Sequence, residues 1–91
     1  MDLTKVYVRI KCKQQALTVE RLFQRAGYNW RICSLLKDGR TSYVRDHYEK
    51  HLLGFGMHAQ DSLFWDRLEY LSNDKQEISL RELKQYVEKN Y

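Results

Sequence analysis

Val6-Tyr7-Val8-Arg9-Ile10-Lys11-Cys12, then residues 14–26, then Gly27-Tyr28-Asn29-Trp30, is the stretch of this 91-residue chain that decides the fold. Val6, Val8, Ile10 and Cys12 alternate with Lys5, Tyr7, Arg9 and Lys11. A period of two predicts a strand with one apolar face and one basic face that carries a tyrosine. The period then changes, because Ala16, Val19, Leu22, Phe23 and Ala26 recur at helical spacing. A helix is expected over residues 14–26, and Gly27 can take the left-handed conformation that ends a helix without a Cβ clash. Tyr28 and Trp30 open an aromatic second strand that residues 31–36 are apolar enough to continue.

Farther along, Asp38-Gly39 is a hairpin-type turn signal. Thr41 or Ser42 can cap a helix over residues 43–53, with Val44, Tyr48 and Leu52 on one face and His47 and His51 beside it. The competing reading makes residues 40–44 the second arm of a hairpin. Two glycines around Phe55, in residues 53–57, read as a break in regular structure, a flexible loop with an exposed aromatic. Residues 62–71 are ambiguous, since Phe64, Leu68 and Leu71 fit a helix while Phe64, Asp66, Leu68 and Tyr70 fit a strand; the strand is preferred, ending at the turn of residues 72–75. Last, Ser79 and Glu82 have the spacing of a capping box, and Ile78 with Leu83 that of a hydrophobic staple. They start a helix running from Leu80 to about Lys89, with Leu80, Leu83 and Val87 as its apolar stripe.

Length and composition bound the class. Ninety-one residues suffice for one domain spanning residues 1–91, with no room for a second. The hydrophobic fraction of 43% is that of a folded chain, and seven tyrosines against three phenylalanines suit half-buried or interface positions. The opening Met1-Asp2-Leu3-Thr4-Lys5 has no apolar run of signal-peptide or membrane-spanning length, which points to the cytoplasm. There, Cys12 and Cys33 would remain thiols and act as small core hydrophobes. Net charge is +4, but residues 1–53 carry eleven Lys and Arg against five acids, while residues 54–91 carry five against seven. The asymmetry favours an anionic partner for the first half, either nucleic acid or an acidic protein surface.

The strand, the helix and Gly27-Tyr28-Asn29-Trp30, together with Glu77-Ile78-Ser79-Leu80-Arg81-Glu82-Leu83, resemble a recurrent pattern in small accessory proteins of tailed bacteriophages. The likeness covers residues 5–32 and 77–88 and consists of capping and packing signals. It implies a host-cytoplasmic protein that binds and neutralises a host or defence protein.

Catalytic chemistry finds little support in the residues. His47 and His51 stand four apart, a spacing that can share a metal with Cys12 and Cys33, but Tyr48 occupies the position where a zinc protease needs its glutamate. His47-Tyr48-Glu49 has the His-x-Glu of zinc deaminases, yet the chain has no proline for the matching Pro-Cys-x-x-Cys. Cys33 with His47, His51 or His58 lacks any oxyanion-hole signal, Asp66 and Glu69 fit a solvated surface, and residues 53–56 lack the lysine of a phosphate loop. The chain therefore reads as no enzyme and as needing no cofactor.

Two binding surfaces remain. Lys5, Tyr7, Arg9 and Lys11 on one strand face, extended by Arg21, Arg25 and Arg31, would meet phosphates with cations and a base with a tyrosine ring. Alternatively Tyr48, Phe55, Met57 and Trp65, in an aromatic-rich middle third, would anchor a protein partner. The expectation from sequence is an α+β domain: a small, mainly antiparallel sheet with three helices. Its expected function is non-catalytic binding of a protein, as an inhibitor or modulator encoded by a phage, with nucleic-acid binding as the alternative.

Overall fold

The computed structural model describes residues 1–28, 42–48 and 75–91 with their side chains, and residues 54–57 and 63–66 as backbone strands. The chain enters through a 3-10 turn, Leu3–Lys5, whose first amide is capped by the Asp2 carboxylate: Thr4 N–H donates to it at 3.0 Å and the Thr4 hydroxyl at 2.6 Å. Leu3 is driven inward, and strand β1, Val6–Arg9, follows. Helix α1, Lys13–Arg25, occupies the span expected from the 3.6-residue period, and Ala16, Val19, Leu22 and Phe23 are its buried stripe. It stops as Gly27 predicts. The Tyr28 N–H bonds Phe23 O and the Gly27 N–H bonds Gln24 O, both at 3.0 Å, with Gly27 at φ +97°. This paired arrangement satisfies the terminal carbonyls and requires the left-handed residue that glycine adopts without strain.

Helix α2 is a single turn, Val44–His47, packed against α1. Ser42 caps it as expected, its hydroxyl accepting from the Arg45 N–H at 3.1 Å. The helix expected over residues 43–53 nevertheless ends early: Tyr48 is already extended at ψ 133°, while His51 and Leu52 lie outside the described residues. Residues 54–57, expected as a flexible loop, form strand β2, Gly54–Met57, between β1 and strand β3, Leu63–Asp66. Cross-strand pairing absorbs the two glycines that, read locally, signalled a break. A strand within residues 62–71 was expected, and β3 supplies it. The second strand expected at 28–36 and the turn at 38–39 fall outside the described residues, apart from Tyr28.

One strand had no counterpart in the sequence reading. β4, Gln76–Ile78, precedes helix α3, Leu80–Asn90, and buries Ile78 alone, too short and too polar to show a period. The sheet order is β3-β2-β1-β4. β1 runs antiparallel to β2 and β2 antiparallel to β3, but β1 and β4 are parallel, with Val8 beside Ile78. The α+β sheet is a mixed one among the described strands: two pairings are antiparallel, as the sequence led one to expect, and the pair β1 with β4 departs from that expectation by being parallel. Alternation along one strand says which side chains share a face and nothing about the direction of the neighbouring strand.

Val6, Val8 and Ile10 from the first strand region join Ala16, Val19, Leu22 and Phe23 of α1, Val44 of α2, Ile78, and Leu83 and Val87 of α3 in one apolar cluster. Each Val, Leu, Ile or Phe side chain among them contributes roughly 1.5–3 kcal/mol when fully buried. Two long-range bonds hold the chain's opening segment to this frame. Lys75 Nζ donates to Thr4 O at 2.6 Å and Tyr86 Oη to Met1 O at 3.0 Å. Cys12, expected as a core hydrophobe, is instead exposed at the head of α1, where the chain leaves the strand; Cys33 lies outside the described residues.

Candidate binding surface

The basic row of the first strand does not survive intact as a nucleic-acid platform. Lys5 and Lys11 are exposed, but Tyr7 is only 5% exposed, so its ring is not open for stacking on a base. β1 is covered on both faces at positions 7 and 8, where strict alternation predicted one solvated face. Arg9 is exposed and tied to Glu77 of the parallel neighbour β4 by Nε–Oε1 contact of 2.7 Å. The hydrogen bond and charge of Glu77 raise the Arg9 pKa still further. Such an exposed pair adds little stability, but it neutralises the cation.

Beyond this pair, a cleft of about 470 Å³ opens where β1 and β4 end and α3 begins, with Arg9, Lys11 and Gln15 facing Glu77 and Glu82. Its charges balance, and two of its polar side chains are engaged: Gln15 Oε1 accepts the Lys11 N–H at 2.8 Å, and Glu82 Oε1 the Ser79 N–H at 3.3 Å.

The outward side of α1 differs in kind. Its charged residues are Lys13, Glu20, Arg21 and Arg25, and its single carboxylate is turned inward. Glu20 is 2% exposed, in line with Ala16 and Phe23 on the buried stripe. Its Oε1 accepts the Ser42 hydroxyl at 2.6 Å, and its Oε2 accepts the Tyr43 and Val44 N–H groups at 2.9 and 3.1 Å. The carboxylate thus completes the first turn of α2 from a different helix. Burial of a charge is tolerated when hydrogen-bond donors surround it. Lys13, Arg21 and Arg25 are left exposed. Between α1 and α2 runs a groove of about 280 Å³ lined by Leu17, Glu20, Arg21, Gln24, Ser42 and Arg45. On its α2 wall Arg45 contacts its neighbour Asp46 at 3.3 Å, with both side chains more than half exposed.

Sequence reasoning did not single out Glu20 or Arg45. The signal for Glu20 was present: it stands four residues after Ala16 and three before Phe23, an acid inside an apolar stripe. Nothing local marked Arg45, because α1 supplies the opposite wall of its groove.

Of the candidate protein anchors, Tyr48 is half-buried and packs on the core cluster. Phe55 stands opposite Val8 on one side and Trp65 on the other in the strand register, and Met57 opposite Leu63, so the backbone brings Phe55 and Trp65 to neighbouring positions. Arg31 lies outside the described residues. His47 stacks on Tyr43 with ring centroids 4.2 Å apart, and its expected metal-sharing neighbours His51 and Cys33 are not among the described residues. No described helix is long and apolar enough to cross a membrane. No family model, curated protein or solved structure matches this chain.

Proposed function

We propose that the protein is a non-catalytic module that binds an acidic protein partner through the outward side of α1. The observation that carries the reading is the charge of that helix: three exposed cations and a buried carboxylate. Arg21 and Arg25, four apart on the exposed stripe, repel one another by roughly 0.2–0.5 kcal/mol. Lys13 in the first turn opposes the helix dipole by about 0.3–1 kcal/mol. An isolated helix gains nothing from this pattern, and an acidic partner converts each repulsion into attraction. The resemblance to accessory proteins of tailed bacteriophages makes a host or defence protein the partner, with the module as its inhibitor or modulator. Tyr48, Phe55, Met57 and Trp65 belong to the proposal as its sequence-based apolar anchors.

Affinity capture from nuclease-treated host lysate tests it, comparing the parent with a variant carrying Arg21→Glu and Arg25→Glu. A protein retained by the parent after nuclease and lost with the variant is the expected result. Capture that disappears with nuclease and returns with a bare oligonucleotide would transfer the basic surface to nucleic acid. Capture indifferent to both charge reversals would end the α1 reading.

A further inference from the structure

We infer that the groove between α1 and α2 is a seat for an acidic peptide segment carrying one apolar side chain, with Arg21 and Arg45 clamping its carboxylates from opposite walls. The inference rests on the acidic-partner reading and narrows it to one place. The groove's volume of about 280 Å³ falls just under the roughly 300–1,000 Å³ of small-molecule pockets, so it accommodates one or two side chains of a longer segment. Leu17, half-buried and packed on the core, gives it an apolar floor. Arg21 has no acidic partner among the described residues, and the groove's own carboxylate, Glu20, is turned down into the first turn of α2. Among the described residues Arg45 pairs only with Asp46, at 3.3 Å and in solvent, a contact that an incoming carboxylate can replace at little loss. Arg21 and Arg45, both lining a groove that also carries Leu17, match carboxylates that flank a hydrophobic residue.

Glu20 also makes the seat depend on the fold. It ties residues 42–44 to α1 and so sets the distance between the two arginine walls. The seat is therefore built by tertiary structure and is absent from either helix alone.

Fluorescence anisotropy with three labelled probes tests the inference: a short peptide of glutamates around one leucine, the same peptide with serine for leucine, and a single-stranded oligonucleotide. The expected result is saturable binding of the leucine peptide below about 1 mM, with the serine peptide weaker. Arg21→Glu and Arg45→Glu should each weaken it about tenfold, while Lys84→Glu on α3 leaves it unchanged. These three positions, and Arg25, are exposed, and circular dichroism of each variant checks that the fold is kept. If Arg21→Glu and Arg45→Glu bind like the parent while Arg25→Glu loses the peptide, the groove is wrong and the α1 surface stands. If none of the probes binds, both fall. Binding of the oligonucleotide alone, with the same dependence on Arg21 and Arg45, overturns the peptide and assigns the arginines to phosphate.

Discussion

The first turns of α2 and α3 solve one problem in opposite ways. At α3 every device comes from the helix's own neighbourhood: the Glu82 N–H bonds the Ser79 hydroxyl at 3.0 Å, the Glu82 carboxylate returns to the Ser79 N–H, and Ile78 is buried beside Leu83. At α2 the local cap Ser42 takes the Arg45 N–H, while the preceding two amides depend on Glu20, more than twenty residues earlier and on another helix. The eleven-residue α3 carries its start signal within its own sequence, while its stability comes from packing Leu83 and Val87 into the core. A single turn such as α2 lacks the length to be stable in isolation, so its existence and position follow from α1.

The comparison can be broken or sharpened by substitution. The largest effect should come from beneath both helices: Phe23, fully buried in the shared cluster, costs roughly 3–5 kcal/mol as Phe23→Ala, enough to unfold a domain of this size. An unchanged midpoint in denaturant titration would place the helix's apolar stripe in solvent. Glu20→Ala comes next, at about 2–4 kcal/mol, because it strands the part-buried Ser42 hydroxyl and Tyr43 amide and the buried Val44 amide. Glu20→Gln keeps an acceptor and should recover part of that loss. Amide exchange at Tyr43 and Val44 should rise in Glu20→Ala while α3 keeps its protection; equal loosening of both helices would deny the separate tie. Ser79→Ala should cost about 1 kcal/mol, with fraying confined to the start of α3 in the same exchange experiment.

The smallest effect belongs to the fully exposed cap at Asp2. The Thr4 hydroxyl, and then the Thr4 N–H, hold its carboxyl below the usual aspartate value of 3.8. A carboxyl with a lowered folded pKa adds stability that is present above 3.8 and is lost as the pH falls through its own titration. Carboxyl chemical shifts followed from neutral to acid pH should therefore show Asp2 titrating late, and Thr4→Val should return it towards 3.8. Coincident curves for the parent and Thr4→Val would remove the hydroxyl from the account.

Legibility along the chain follows the reach of each interaction. The start of β1, the spans of α1 and α3, the stop at Gly27, the Ser42 cap and the capping box of α3 are written within a few residues, since spacing and hydrogen-bond partners lie within one or two turns; the alternation that continues to Cys12 overran β1, which ends at Arg9. The candidate surface was legible only as charge: Arg21 and Arg25 were named as extensions of a basic nucleic-acid footprint, but the groove that Arg21 lines was not foreseen. The reading of residues 53–57 as a loop failed because a glycine pair looks the same in a break and in a strand flanked by neighbours on both sides. Tyr7 was misplaced because alternation assigns a residue to a face and cannot say whether that face is covered.

By itself, then, the sequence determined where the well-patterned elements begin and end and that the first half of the chain is basic. Tertiary structure alone decided that β1 lies parallel to β4, that Arg9 is neutralised by Glu77 from 68 residues away, and that Glu20 reaches across 22 residues to Ser42. The physical reason is the same in each case. A periodic pattern fixes a residue's direction relative to its own element, whereas the partner it meets depends on how distant elements pack, and that packing is set by burial of the shared core rather than by any local preference.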